Sequence, residues 1–214
     1  MRVMWMLIRR DLALAMRQGA ALPVIFLLLV ATLYPFAVGP DGALLARTGA
    51  GVVWIAALLA ALLPIDRLVA PDLADGVTDQ LMLRGVSAEL LAVAKTLAHW
   101  LSFGPLLMMA TLPAAALLRI EGDVLLRLEI GLLLGTPALA AIGVLVASLT
   151  AGLARSSALA GLLLLPLAVP VLIFGAGALG GDPSAFKLLA AVSLFICAVS
   201  PYAAGAAMKV AVEM

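Results

Sequence analysis

Charged positions cut the chain into six long apolar runs, at residues 20–38, 48–65, 96–118, 130–154, 157–180 and 188–208. A helix that spans a bilayer needs about 20 mostly apolar residues, and each run comes close to that length. Pro166 and Pro170 fall inside the fifth run, so that span is expected to be kinked or partly broken. Neighbouring helices can satisfy the carbonyls that such prolines free. The expected fold is an all-α integral membrane protein, one transmembrane domain over residues 1–214.

Two segments depart from this pattern. Residues 1–18 form an amphipathic helix: at about 100° per residue, Arg2, Arg9, Arg10 and Arg17 share a third of the wheel. Trp5, Ile8, Leu12 and Ala15 lie opposite, with Met4 and Met16 beside them. Such a helix should lie in the interface, its Arg stripe toward headgroups and its Trp side buried. The alternative is a plain basic flank. The other segment is the loop 66–86, with a short helix at 78–84. Asp75-Gly76 supplies the turn before it, and Gly85 can take the left-handed position after it. Its exposed face should show Leu81 beside acidic groups. Ser87 then caps the third spanning helix, with Glu89 near the positive end of its dipole. Extended to 87–118, that helix is about 48 Å long and should project beyond the bilayer.

Composition agrees with lipid as the solvent. Hydrophobic residues make up 65% of the chain and charged ones 12%, half the share usual in soluble domains. The mean hydropathy is +1.23. A net charge of +1 gives no reason to expect a nucleic-acid partner. With Cys197 as the only cysteine, neither an internal disulfide nor a cysteine metal site can form. The basic start runs into a full-length span with no A-x-A-like exit, so the first span is expected to stay as an anchor.

Orientation follows from Lys and Arg. With the N-terminus inside, nine of them (Arg2, Arg9, Arg10, Arg17, Arg67, Arg84, Lys95, Arg155, Lys209) lie on the cytoplasmic side, against four outside (Arg47, Arg119, Arg127, Lys187). Both termini are therefore expected in the cytoplasm. The loop's acids (Asp66, Asp72, Asp75, Asp79) and Glu89 outnumber the local bases, so a topology signal does not explain them.

Catalytic chemistry is thinly represented. Gly175-x-Gly177-x-x-Gly180 fits a dinucleotide fingerprint on paper, but no strand precedes it. Gly131-x-x-x-Gly135 reads better as a close-packing helix face. No G-x-x-x-x-G-K-[ST] occurs, so ATP is not bound here by a P-loop. No Asp or Glu lies inside the six runs, which speaks against proton coupling. The lone histidine, His99, sits a turn into the third span beside Trp100. It could ligate haem iron, or hydrogen-bond a neighbouring helix. A Ser or Thr nucleophile has no second histidine or buried acid to activate it.

An Arg-rich first helix, six spans and an acidic loop between spans two and three resemble the permease of an ABC-2-type exporter. More specifically, the chain resembles haem exporter protein B, the CcmB family. The resemblance is carried by Leu33-Tyr-Pro-Phe36 with Gly39-Pro40, Leu44-Leu-Ala-Arg47, Val53-Trp-Ile-Ala-Ala-Leu-Leu59, and Asp72-Leu-Ala-Asp-Gly76 with Asp79-Gln-Leu81. Ala94-Lys-Thr-Leu-Ala-His-Trp100, Leu133-Leu-Gly-Thr-Pro137 and Leu164-Leu-Pro-Leu-Ala-Val-Pro-Val-Leu-Ile-Phe174 carry it further. Two departures stand out: Asp66-Arg67 where the family usually has Glu-Arg, and Arg84-Gly-Val-Ser87 in place of a Pro-containing turn.

The resemblance implies a non-enzymatic permease of the cytochrome c maturation system in a bacterial inner membrane. It implies pairing with a second copy and with a cytoplasmic ATPase (CcmA) that binds the ATP. Further implied partners are a haem-handling membrane protein (CcmC), a small single-span subunit (CcmD) and a periplasmic haem chaperone (CcmE). The short loop helix would receive the ATPase, with Asp72, Asp75, Gly76, Asp79, Gln80, Leu81 and Arg84 as coupling residues. No cofactor is expected on this chain itself. Two readings of haem stay open, passage through this subunit with His99 as a transient ligand, or ATP-driven release of the loaded chaperone. The rivals are a passive scaffold and an exporter of another cargo.

Overall fold

The computed structural model describes residues 2–17, 19, 21–151 and 156–213, with the side chains of 156–158 excepted. Met1, Gln18, Ala20, Ala154 and Arg155, which bounded expected elements or counted toward orientation, lie outside the described residues. Those described form ten helices and no strand. They are α1 (Arg2–Arg17), α2 (Leu22–Val38), α3 (Gly42–Leu62), the short α4 (Ile65–Leu68), α5 (Ala70–Ala74) and α6 (Val77–Leu83), then α7 (Ala88–Leu117), α8 (Gly122–Thr150), α9 (Ser156–Ala178) and α10 (Pro183–Glu213).

Five helices, α3 and α7 to α10, are long and apolar enough to cross a membrane. α2 has 17 residues, about 26 Å. It bends from α1 by 49°, and the two together make the sixth candidate. Residues 39–41, 118–121 and 179–182 are short connections, which fold consecutive helices back on one another.

Several helices overrun the charge-free stretches. α3 starts at Gly42 because Asp41 caps it, accepting from the Ala43 and Leu44 N–H groups at 2.9 and 3.3 Å. α8 starts at Gly122 rather than 130 and so takes in Asp123, Arg127 and Glu129. α10 covers 31 residues. A charge at the wet end of a helix is no reason for the helix to stop, so absence of charge marks apolar thickness and not helix length. Of the two expectations for Pro166 and Pro170, a kink or a partial break, the break does not occur: α9 continues as helix through both. Its inward side is narrow, Ala160, Leu164, Ala168, Val171, Gly175 and Ala178, flanked by the half-buried Leu172 and Phe174.

α8 is the axis of the bundle: 72% of its spanning window is buried, against 28% for α9. It can be central because its buried face is made of small residues, among them Gly131, Gly135, Ala138, Ala141, Gly143 and Ala147. Without water to drive helices together, close van der Waals approach is what holds spanning helices side by side. The Gly131–Gly135 face does not receive a neighbouring backbone. It receives the indole of Trp54 from α3, which is fully buried. Gly175 of α9 closes the other side of that seat.

α1 differs from a helix floating in the interface. It packs along α7 and buries Leu7 and Ile8, with Asp11 and Ala15 following on the same face. Trp5 is 59% exposed, so it is free to face lipid rather than protein. Arg9 and Arg17 are exposed, but Arg10 leaves the stripe and turns inward.

Candidate functional site

The loop 66–86 is a small helical unit that leads into α7 and packs through α4 on α8 and α9 and through α6 on α10. Gly76 adopts a left-handed φ of 69° and starts α6. At the other end the Val86 N–H donates to the Leu81 carbonyl (3.1 Å) and the Gly85 N–H to the Met82 carbonyl (2.9 Å). This is the Schellman pattern, and Gly85 supplies its left-handed residue with φ 83°. Ser87 follows at once as the cap of α7, its hydroxyl accepting from the Leu90 N–H at 3.2 Å. One helix therefore stops and the next starts within four residues, fixing the direction of α6 relative to α7.

α6 is amphipathic. Thr78 is buried, and Leu81 and Met82 pack against the core. Asp79, Gln80, Leu83 and Arg84 are exposed, with Asp75 beside them. Leu81 is thus not the exposed apolar residue of this face. Leu83 is, at 79% exposure. The helix begins and ends one residue earlier than its expected 78–84.

Asp72 also turns away from the outer face. Its side chain, 15% exposed, accepts from Arg10 Nη2 of α1 at 2.5 Å and from Lys95 Nζ of α7. Asp11 of α1 completes the group, 2.6 Å from Arg10 Nη2 and 3.4 Å from Lys95 Nζ. Two cations and two carboxylates cancel, which is the condition for holding charges in so little water. Burial alone would lower the Arg10 pKa, but the Asp11 and Asp72 carboxylates outweigh it and raise it. A signal for this cluster existed in the sequence. Lys95 is a cation on a long apolar helix, and such residues need a partner.

Below the cluster lies a pocket of about 90 Å³, lined among others by Asp11, Asp72, Lys95, His99 and Phe103. The His99 ring is 2% exposed and stacks at 42° on Phe103, centroids 4.7 Å apart. Neither ring nitrogen makes a hydrogen bond of good geometry, and the ring has the Ala61 backbone of α3 as a polar neighbour. Elsewhere, Lys209 of α10 reaches Glu89 at 2.6 Å. Gly205 lets the two helices cross there, since a Cβ on it would stand 2.9 Å from the Glu89 nitrogen. Near the opposite end of α8, Glu129 accepts from the Thr111 hydroxyl of α7. The charge-free run stopped at Ile130, one residue short of it.

These features define a class: a multi-pass, all-α membrane protein with a folded helical loop leading into a long spanning helix. Comparison with known proteins narrows the class. The family model for CcmB protein matches residues 2–211. The chain is 43% identical to Heme exporter protein B of Rhodobacter capsulatus over 212 residues, 95% of this chain and 97% of that one. It is 44% identical to the protein of the same name from Paracoccus denitrificans, with the same coverage. For Escherichia coli K12 the identity is 37% over 219 residues, 98% and 99% of the two chains. The chain belongs to the CcmB family.

Proposed function

We propose that this chain is the membrane permease subunit of an ATP-driven complex for cytochrome c biogenesis. A partner ATPase docks on the loop 66–86, and its cycle drives haem export or release of a haem-loaded periplasmic chaperone. The chain itself is not an enzyme. It sits in a bacterial inner membrane with both termini cytoplasmic, beside a second copy, CcmA, CcmC, CcmD and CcmE. The observation that carries this reading is the outer face of α6. It presents Asp75, Asp79, Gln80, Arg84 and the bare Leu83 together, on a helix whose two ends are both fixed by glycine turns.

Charges around an apolar anchor are what a docking face uses, the anchor for affinity and the rim for register. Asp72, bound within the chain, drops out of that face. The Asp75→Lys/Asp79→Lys pair and Leu83→Ser are the test. Each variant should reach the membrane normally yet retain less than a tenth of the co-purifying ATPase. Wild-type ATPase content with normal cytochrome c maturation in all of them would refute the docking assignment.

Of the two routes for haem, the structure's dimensions favour release over passage at His99. The pocket beside that histidine, about 90 Å³, is well under the roughly 300 Å³ at which small-molecule sites begin.

A further inference from the structure

One polar junction between the docking loop and the bundle centres on Asp72 of α5. α5 buries no residue, and Asp72 is its only polar side chain. That carboxylate takes one cation from α7 and one from α1, and Asp11 takes the same two cations from the other side. Apart from this, α5 barely approaches either helix, whereas α1 and α7 pack along each other. Lys95, 7% exposed, is the member on the long helix.

We infer that Lys95 is a positioning residue. Through it the Arg10–Asp11–Asp72–Lys95 cluster passes displacement of the docking loop to α7 and α1. This rests on the reading that the loop receives an ATPase. The physical reason lies in what each kind of contact resists. Apolar surfaces are held without direction and can slide, because burial depends on area and not on register. Drawing Asp72 off its two cations instead leaves charges uncompensated where water is scarce, and that is strongly opposed. A pull on α6 is therefore transmitted through α5 as a movement of the whole cluster. α7 runs on from Lys95 to Leu117, so its far end lies about 33 Å away. α1 is carried along, which gives the basic first helix a part in the stroke beyond contact with headgroups.

The test separates transmission from docking. In the purified complex, Lys95→Met with Asp72→Asn removes one charge of each sign and leaves Arg10 paired with Asp11. Replacing a buried ion pair by uncharged groups of similar volume is often neutral for stability. ATPase co-purification should stay within twofold of wild type, while cytochrome c matured per assembled complex falls at least tenfold. Lys95→Arg should stay within threefold of wild type. Undiminished maturation in the uncharged pair overturns the inference. So does loss of the ATPase from that pair, which would make the cluster a mere support of the docking face. Should the pair assemble poorly, Lys95→Gln alone is compared with Lys95→Arg per complex, and equal maturation in the two overturns the inference as well. A docking reading that is itself wrong shows up separately, as ATPase retained by Asp75→Lys/Asp79→Lys.

Discussion

At the residue scale, the tightest feature is the seat of Trp54. A Cβ on Gly175 would stand 2.5 Å from Trp54 Cζ2, one on Gly135 2.7 Å from Cη2, and one on Gly131 3.1 Å from Cζ2. Three glycines from α8 and α9 thus make room for one indole from α3. Overpacking of this kind costs about 1–3 kcal/mol. Gly175→Ala should lower the thermal midpoint of the detergent-purified protein, and adding Trp54→Phe should recover at least half of the loss. An unchanged midpoint in Gly175→Ala would show that the ring can move aside. Little of this was legible beforehand. Gly131 and Gly135 read as a close helix-packing face, and what they receive is an indole. Spacing along a chain, however, cannot say whether a backbone or an indole fills the gap. Gly175 belonged to a meaningless nucleotide fingerprint, and its partner lies far off in sequence.

At the scale of elements, local chemistry was readable and rotational phase was not. Gly85, Ser87 and Glu89 take the positions their residue types announce, because caps are settled within one turn of chain. The side of α6 that faces outward is settled by packing against the bundle, which turns Leu81 in and leaves Leu83 out. The same contrast explains Asp72: its place among acids suggested a surface, and only the fold brings α1 and α7 to it. The junction of α6 and α7 carries its own prediction. Gly85→Ala must hold a Cβ at φ 83°, which costs roughly 1–2 kcal/mol in the left-handed region. Ser87→Ala removes a cap worth about 1 kcal/mol. Limited proteolysis within residues 66–86 should accelerate several-fold in Gly85→Ala and less in Ser87→Ala. Equal rates in all three proteins would mean that tertiary packing alone holds the loop.

For the whole molecule, function separates by level. The bundle is built on a small-residue axis, α8, and its ionic clusters lie toward the helix ends: Arg10–Asp11–Asp72–Lys95 and Glu89–Lys209 at one end, Asp123–Arg127 at the other. Packed rods linked at their ends fit the proposed mechanical role more than a conducting one. His99 is where the two ideas part. It is wedged between Phe103 and the Gly143 side of α8, where a Cβ on Gly143 would stand 3.4 Å from Nε2. Removing a buried polar group whose hydrogen bonding is poor costs little, because its desolvation is barely repaid. His99→Leu keeps the volume roughly and loses both nitrogens. A mechanical permease should therefore tolerate it, with cytochrome c maturation per complex at half of wild type or better and ATPase content unchanged. If maturation collapses while the complex assembles normally, the imidazole takes part in handling haem itself, and the bundle has to open around it by far more than the present pocket allows.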